Sequence, residues 1–252
     1  MINILLSGCN GKMGQVISKL ASEKENLKIA AGLDINTSIQ NPYPVYTDIN
    51  KCDAKIDVII DFSHPSVLQG LLEFAVARKI PAVIATTGLS NSQIKMLQEA
   101  SKSIPIFFSA NMSIGVNLVL DLVKKAAKVL ENNFDIEIIE KHHNQKIDAP
   151  SGTALVIADA INSVLAEEHE YIYDRHSRRK KRNKKEIGIH AVRGGTIVGE
   201  HSVIFAGNDE IIEIKHTATS KYIFAEGSLN AAVFLHDKKP GMYNMDDLIK
   251  NK

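Results

Sequence analysis

The chain has 252 residues, 44% of them hydrophobic, and its formal net charge is +1 at pH 7, which suits one large folded domain or two smaller ones. No apolar run approaches the roughly 18 residues of a membrane span, and residues 2–7 are too short for a secretory signal, so we expect no membrane partner. The cysteines, Cys9 and Cys52, match no disulfide framework or metal-ligand pattern; we expect a reducing, cytoplasmic setting and no bound metal.

The first predicted elements are a buried strand over residues 2–7, a glycine-rich segment over residues 8–14 and a helix over about 13–23. In this context backbone N–H groups can approach a pyrophosphate. The next strand, residues 28–33, ends at Asp34, whose carboxylate can accept hydrogen bonds from an adenosine ribose. The glycines are spaced G-x-x-G-x-x-G, and together with Asp34 they predict a dinucleotide site. The alternative is a glycine-rich turn that serves only packing.

Asp34 also bears on the choice of cofactor. A carboxylate repels the 2′-phosphate of NADP unless an arginine stands beside it, and the neighbour here is Ile35. Lys12, inside the glycine loop, is long enough to reach such a phosphate. We therefore expect NADH to be used well and NADPH also to be accepted.

Strands and helices then alternate in the pattern of a doubly wound parallel sheet. The strands are predicted over 56–61, 82–85 and 104–109, with helices between them that end near residues 78 and 102. Ligands bind beyond the carboxyl ends of such strands. The residues at these ends form the candidate cofactor cleft: Gly8, Cys9, Asn10, Gly11, Lys12, Met13, Asp34, Ser63, Ala85, Thr86, Thr87, Gly88, Ala110, Asn111, Met112 and Ser113.

The second part of the chain is predicted to be mixed α+β. A helix over about 116–131 precedes strands at 135–140, 187–193, 197–206 and 210–217, and short connections suggest that the last three are antiparallel. They can form one open mixed sheet, covered by helices on one face, and the long strands suggest self-association. We expect a final helix over 222–235 to return to a dinucleotide-binding domain of residues 1–113 and 221–252. Residues 114–220 form the predicted substrate-binding and oligomerisation domain.

The segment over residues 140–154, E-K-H-H-N-Q-K-I-D-A-P-S-G-T-A, is the candidate chemical site. The adjacent pair His142 and His143 lies where a strand ends, and imidazole exchanges protons near neutral pH. Lys146 adds a positive charge, and Ser151 can cap a helix whose N-terminal N–H groups attract an anion. The combination predicts a site for a small acidic substrate that is protonated during reaction. An incidental surface histidine pair is the alternative for the two histidines alone.

The basic run Arg175–Lys185 holds eight of the 30 lysines and arginines, which leaves 22 against 29 acidic residues elsewhere. Such a run can bind nucleic acid. It lacks aromatic residues for base stacking, so we interpret it as an exposed, mobile loop and expect no nucleic-acid partner.

These motifs resemble the 4-hydroxy-tetrahydrodipicolinate reductase family of lysine and diaminopimelate biosynthesis, over nearly the full length. Besides residues 140–154, the matching segments are G-K-M-G (11–14), D-F-S (61–63), A-T-T-G (85–88), S-A-N-M-S (109–113) and R-G-G-T-I-V-G-E-H (193–201). The resemblance implies reduction of a cyclic, imine-derived dicarboxylate to tetrahydrodipicolinate by NAD(P)H, in a homotetramer joined through the second domain. The cofactor contacts that it implies fall on the strand-end residues above, apart from Ser63 and Gly88.

By the same resemblance, His142 and Lys146 carry the proton-donor roles and His143 contacts the substrate. Gly152 and Thr153 would hold a substrate carboxylate through their backbone N–H groups. The residues leave open whether His142 or Lys146 delivers the proton. Two departures are Ile35, where some members carry an arginine, and Ala85, where glycine is common.

Two rival functions are kept. The first is another Rossmann-type dehydrogenase of amino-acid metabolism, of the homoserine or aspartate type, which gives no account of the residues 140–154. The second is a non-catalytic protein that senses NADH and binds nucleic acid through its basic run. Turnover separates the first from the reductase, and nucleic-acid binding would reveal the second.

Overall fold

The computed structural model describes residues 1–109 and 111–250. These residues form two compact units, one of the residues up to Ile114 together with those from Tyr222 onward, and one of Gly115–Lys221. From the N-terminus the elements are β1 (Ile2–Ser7), α1 (Lys12–Ser22), β2 (Leu27–Leu33), β3 (Val45–Tyr46), β4 (Val58–Asp61), α2 (Leu68–Arg78), β5 (Ala82–Ile84), α3 (Asn91–Ala100) and β6 (Pro105–Phe108). They continue with α4 (Ile114–Leu130), β7 (Asp135–His142), α5 (Gly152–Asn162), β8 (Glu170–Ile172), β9 (Glu186–Arg193), β10 (Gly199–Ala206), β11 (Ile211–Ala218), α6 (Tyr222–Leu235), β12 (Gly241–Tyr243) and α7 (Met245–Lys250).

The first unit is built on a seven-stranded sheet in the order β12-β6-β5-β4-β1-β2-β3, in which every pair is parallel. Successive strand side chains point to opposite faces, so each strand feeds two cores. Ile4 and Leu6 of β1 pack with residues of α1 and α6, whereas Leu5 packs with residues of α2 and α3. Helices therefore cover both faces, which confirms the predicted doubly wound sheet. Helix α6 belongs to this unit, as predicted.

The sequence predicted that the helix over 222–235 is the final element, but two further elements follow it in the structure. Strand β12 pairs with β6 at the sheet edge, and the short helix α7 follows it. With three and six residues, these elements are too short to show a hydrophobic period. Strands β3 and β8, with two and three residues, escaped prediction for the same reason.

The second unit has a five-stranded mixed sheet in the order β11-β10-β7-β9-β8, which confirms the predicted open mixed sheet. Strands β9 and β10 run antiparallel, as predicted, but they do not pair directly, because β7 lies between them, parallel to β9 and antiparallel to β10. Two strand spacings amount to about 10 Å, and the five residues 194–198 can span up to roughly 17 Å. A short loop therefore does not require neighbouring strands. This loop crosses the end of β7, where the Gly194 N–H donates to the carbonyl oxygen of His142.

The basic run is only partly an exposed loop. Residues 178–181 are exposed, as predicted. The Arg182 side chain, by contrast, is 17% exposed, and it pairs with Asp135 at 2.8 Å and with Glu137 at 3.0 Å. Arg175 lies within 2.9 Å of Glu137 and 2.8 Å of Glu186. The interpretation of a free loop is therefore wrong for these two arginines, because acidic side chains of β7 and β9 bind them.

Candidate functional site

The loop between β1 and α1 has the close backbone packing of a dinucleotide site. Gly8 adopts a φ of 78°, and a Cβ built there would lie 2.5 Å from the carbonyl oxygen of Phe62. A Cβ on Gly14 would lie 2.2 Å from the carbonyl oxygen of Gly8, so α1 begins directly against the loop. Only glycine satisfies both positions, and the loop backbone is left uncovered for a ligand.

Asp34 is tied to the glycine loop by its carboxylate. Its Oδ2 accepts the backbone N–H of Asn10 at 2.8 Å, and its Oδ1 accepts that of Asn36 at 2.9 Å. The Asn10 side chain, itself buried, donates to the carbonyl oxygen of Asn36 and accepts from Asn41 at 2.8 Å. Each carboxylate oxygen keeps a second acceptor position, which fits the ribose role predicted for Asp34.

Two cavities of the first unit lie at the carboxyl ends of its strands. The larger, about 860 Å³, is lined by Gly8, Asn10, Gly11 and Asp34 among others, and also by Ile35 and His64. The smaller, about 330 Å³, is lined by Met13, Phe62, Ser63, Ala85, Thr86, Thr87, Met112 and Phe224. The structure thus gathers most of the predicted cofactor residues around these two spaces. The glycine loop, Asp34 and a cavity of this size fit a bound dinucleotide.

Asp61, at the end of β4, joins two of the predicted strand-end loops. It is fully buried, and its Oδ1 accepts from Ser63 Oγ at 2.6 Å while its Oδ2 accepts from Thr86 Oγ1 at 2.7 Å. Thr86 Oγ1 also accepts the Ser63 backbone N–H at 3.1 Å. This network holds the loops after β4 and β5 in one arrangement beside the smaller cavity.

The remaining predicted cofactor residues have other surroundings. The Cys9 side chain is fully buried in the core, and burial raises its pKa to about 11, so this thiol is not a reactive thiolate. Lys12 is exposed at the start of α1. Asn111 Oδ1 accepts the Ser113 backbone N–H at 2.9 Å. Ala110, also predicted to contact the cofactor, lies outside the described residues.

The second unit carries the predicted chemical residues at the end of its central strand. Strand β7 alternates half-buried and buried positions, and Glu140 and His142 occupy its last two buried ones. His142 Nδ1 lies 2.6 Å from Glu140 Oε2. Among the residues that the structure describes, the His142 ring makes no other hydrogen bond. A Cβ on Gly199 would lie 3.1 Å from His142 Nε2, so a glycine of β10 provides the space beside that nitrogen.

Glu140 is fully buried, and four donors surround its carboxylate. Arg193 donates through Nη1 to Oε2 and through Nη2 to Oε1, both at 2.7 Å, and the Ser151 N–H donates to Oε1 at 3.0 Å. The fourth donor is His142. Burial alone would raise the pKa of Glu140, but the hydrogen bonds from Arg193, His142 and Ser151 outweigh it and lower the pKa below its usual value. The site therefore holds a buried carboxylate that stays charged.

His201 of β10 stands beside His142, with the ring centroids 5.3 Å apart at an angle of 73°. Its Nε2 lies 2.9 Å from Ser151 Oγ, and that oxygen also accepts the Ala154 N–H at 3.2 Å as the cap of α5. Burial, and to a lesser degree His142, lower the pKa of His201 from 6.5 to about 4. A neutral ring thus stands next to His142 at neutral pH.

The other predicted residues of this site lie on the loop between β7 and α5 and at the start of α5. Lys146 Nζ pairs with Asp148 Oδ1 at 2.8 Å, and this hydrogen bond lowers the pKa of Asp148. Gly152 and Thr153 are the first two residues of α5, and a Cβ built on Gly152 would meet nothing within 4 Å. His143 is half-buried, and its carbonyl oxygen accepts the Lys146 N–H. The N-terminus of α5 is therefore open to an anion at Gly152.

Sequence reasoning did not assign a role to three residues of this cluster: Glu140, Arg193 and His201. Glu140 could have been found, because residues two apart on a strand share a face and Glu140 precedes His142 by two. Arg193 and His201 are distant in sequence and adjoin β7 through sheet pairing.

Among the described residues, no group of three or more His, Cys, Asp or Glu side chains could hold a metal ion. No helix there is long and apolar enough to cross a membrane.

Comparisons with known proteins agree with these features. Residues 2–112 match the family model described as "Dihydrodipicolinate reductase, N-terminus", and residues 115–249 match the model of its C-terminus. A protein of Caldanaerobacter subterraneus named 4-hydroxy-tetrahydrodipicolinate reductase is 57% identical over 250 residues, 99% of each chain. A protein of the same name from Clostridium tetani is 50% identical, over 100% of this chain and 98% of its own.

Among solved structures, the dipicolinate-bound dihydrodipicolinate reductase of Paenisporosarcina sp. TG-14 superposes with a TM-score of 0.81 over 97% of both chains. At 23% identity, this likeness shows a shared fold.

Proposed function

Because this chain belongs to the dihydrodipicolinate reductase family, and is an NAD(P)H-dependent 4-hydroxy-tetrahydrodipicolinate reductase of lysine and diaminopimelate biosynthesis, we propose roles for its own residues in that reaction. The observation that carries the proposal is the buried Glu140–His142 pair at the end of β7. Both residues belong to the family motif over residues 140–154, which also contains Lys146 and the start of α5. Membership of this family excludes the rival assignment to another amino-acid dehydrogenase.

The first unit holds the nicotinamide nucleotide. The uncovered glycine loop at Gly8 and Gly11 takes the pyrophosphate, and Asp34 takes the adenosine ribose. The loops after β5 and β6, which include Thr86 and Met112, adjoin the smaller cavity and contact the remaining part of the cofactor. When bound, the reduced cofactor supplies a hydride, and the protein residues supply the proton and the binding of negative charge.

The second unit binds the dicarboxylate substrate. Backbone N–H groups at Gly152 and Thr153 bind one carboxylate, because a helix N-terminus favours an anion. Lys146 leaves Asp148, whose side chain is exposed, and stabilises negative charge on the substrate, while His143 contacts the substrate from the strand end. His142 and Lys146 together provide the proton that accompanies the hydride.

The test measures turnover of two variants with substrate generated from pyruvate and aspartate semialdehyde by the preceding synthase, as loss of absorbance at 340 nm. His142→Gln and Lys146→Ala are each expected to lower kcat by about 10²-fold or more, the scale of general-acid catalysis. The affinity for NADH should be unchanged in both. Near-normal rates in one variant would remove that residue from proton delivery; near-normal rates in both would refute the assignment of the site.

For the cofactor, we propose that NADH is used well and that NADPH is also accepted. Asp34 places a negative charge at the ribose, and the exposed Ile35 offers no compensating cation, although Lys12 lies in the glycine loop to which Asp34 is bound through Asn10. Ile35→Arg should raise the ratio of kcat/KM for NADPH to that for NADH by about tenfold, equivalent to about 1.4 kcal/mol. Ile35→Gln, of similar length without the charge, is the control. A strict NADPH requirement in the unaltered protein would contradict the proposal.

We also propose a cytoplasmic homotetramer that associates through the sheet of the second unit. Strand β11 is an edge strand of eight residues, and Ile211 and Ile212 on it are 70% and 39% exposed. An edge of this kind favours pairing with another copy. Light scattering with size-exclusion chromatography should give four chains, and Ile211→Lys should lower that number. A monomer at micromolar concentration would refute the assembly.

A further inference from the structure

The ring of His142 has two nitrogens, and their surroundings differ in the structure. Nδ1 lies 2.6 Å from a fully buried carboxylate, whereas Nε2 lies where Gly199 leaves space. We infer that Glu140 is the positioning residue of the reaction: it holds the proton of His142 on Nδ1, so that Nε2 is the atom that passes a proton to the substrate. This inference rests on the proposed role of His142.

The charge state of Glu140 decides which tautomer His142 adopts. An ionised carboxylate accepts hydrogen bonds and cannot donate them. Arg193 donates to both oxygens, and Ser151 adds a backbone N–H, so three fixed donors keep Glu140 ionised. The atom of His142 that faces it must then carry hydrogen. Nδ1–H stays in place whether or not Nε2 is protonated, and the exchangeable proton is on Nε2.

The same contacts fix the orientation of the ring. Glu140 and His142 share one face of β7, so their separation is set by the strand. His201 packs edge-on against the ring, and Gly199 faces its Nε2. The ring therefore meets the carboxylate at Nδ1 and a neutral aromatic ring on another side, while Nε2 faces a glycine that has no side chain. Glu140 acts through His142, and its effect is on the direction and the charge of that ring.

Replacing Glu140 by glutamine should reverse the tautomer. The position of Oε1 faces two obligate donors, the Ser151 N–H and Arg193 Nη2, so it must remain an oxygen. The NH₂ group of glutamine is then placed at the position of Oε2, where it faces His142 Nδ1 and Arg193 Nη1. Nδ1 must accept from it, and the proton moves to Nε2. The charged ring, with hydrogen on both nitrogens, is then opposed by the amide.

The experiment combines nitrogen NMR with kinetics of the full-length protein. With ¹⁵N-histidine labelling, the His142 signals are identified by their absence in His142→Gln. In the unaltered protein the neutral ring should carry hydrogen on Nδ1, and in Glu140→Gln on Nε2. The kcat of Glu140→Gln should fall about 10²-fold, within the range for general-acid catalysis, with KM within about threefold. The acidic limb of its pH–rate profile should also change.

The matched control is Glu137→Gln, on the same strand. Glu137 also contacts a histidine, His190 at 2.8 Å, and two arginines, but it lies three residues away and so on the opposite face of β7. This variant should keep kcat and the His142 tautomer.

Two results would overturn the inference: a neutral His142 with hydrogen on Nε2 in the unaltered protein, or a kcat of Glu140→Gln within threefold of normal. The first decides the matter even if Glu140→Gln does not fold. If His142→Gln itself keeps normal turnover, the proposed role of His142 fails and this inference falls with it. If only Glu140→Gln keeps turnover, the inference alone fails.

Discussion

The buried ring of His201 should make the stability of this protein sensitive to acid. His201 is 5% exposed, and burial, followed by the influence of His142, lowers its pKa from 6.5 to about 4. The charged and titratable groups around it are His142, Glu140, His216 and Lys146. Between these two pH values the unfolded chain binds a proton at this ring that the folded protein does not. The contribution of the neutral His201 ring to the free energy of unfolding is therefore fully present above about pH 6.5 and is lost as the pH falls toward 4.

The size of this effect follows from the two pKa values. The whole difference corresponds to about 3 kcal/mol, and about 2 kcal/mol of it is lost by pH 5. For a chain of this size, 2 kcal/mol corresponds to a change in Tm of roughly 4–8 °C. In His201→Gln the amide reaches the position of Nε2, keeps a partner for Ser151 Oγ and removes the titration.

The assay is thermal unfolding of both proteins at pH 7 and pH 5. The drop in Tm between the two pH values should be roughly 4–8 °C smaller for His201→Gln than for the unaltered protein. His176→Gln, which removes an exposed histidine from the basic run, controls for loss of a histidine as such. An equal drop in Tm for all three proteins would refute the argument that the buried ring stays neutral.

Three further predictions concern the two units separately. Gly8→Ala should raise the Kd for NADH at least tenfold, measured by fluorescence of the bound cofactor, because the residue has a φ of 78° and its Cβ would lie 2.5 Å from the oxygen of Phe62; an unchanged Kd would contradict this. Arg182→Gln should cost about 2 kcal/mol of stability without altering kcat, since its half-buried pairs lie away from the site; unchanged denaturation curves would exclude it. Asp148→Asn should lower KM for the dicarboxylate about threefold, because Lys146 no longer has to leave a partner; a raised KM would count against it.

The first unit could be predicted from the sequence because its information is local. A strand buried on both faces is a continuous apolar run, and each run is closed by a turn and a helix with its own period. The predicted bounds of α1 and β2 each differ by one residue from those in the structure. The start of α3 is equally local, because Ser90 forms a full capping box with Gln93 three residues later.

The order of strands in the second sheet could not be predicted in the same way. The loop between β9 and β10 is as short as a hairpin loop, and nothing local distinguishes a hairpin from a crossing over β7. The strand order depends on β7, which alternates buried and half-buried residues along its whole length and pairs with a strand on each of its edges. For the same reason the partners Arg193 and His201 were missed, although the motif containing them was noticed.

The candidate site in the second unit combines a fixed part and an adjustable part. Glu140 and His142 are buried on the central strand, and Arg193 and Ser151 bind the Glu140 carboxylate from other elements. Moving any one of these residues would leave a buried charge without a partner. Lys146, in contrast, pairs with a side chain that is 60% exposed, and an exposed pair contributes little to stability. A substrate carboxylate can therefore displace Asp148 at small cost, while it cannot disturb the buried pair. In the proposed mechanism, the direction of proton transfer is therefore set before the substrate binds, and the pairing of Lys146 changes with binding.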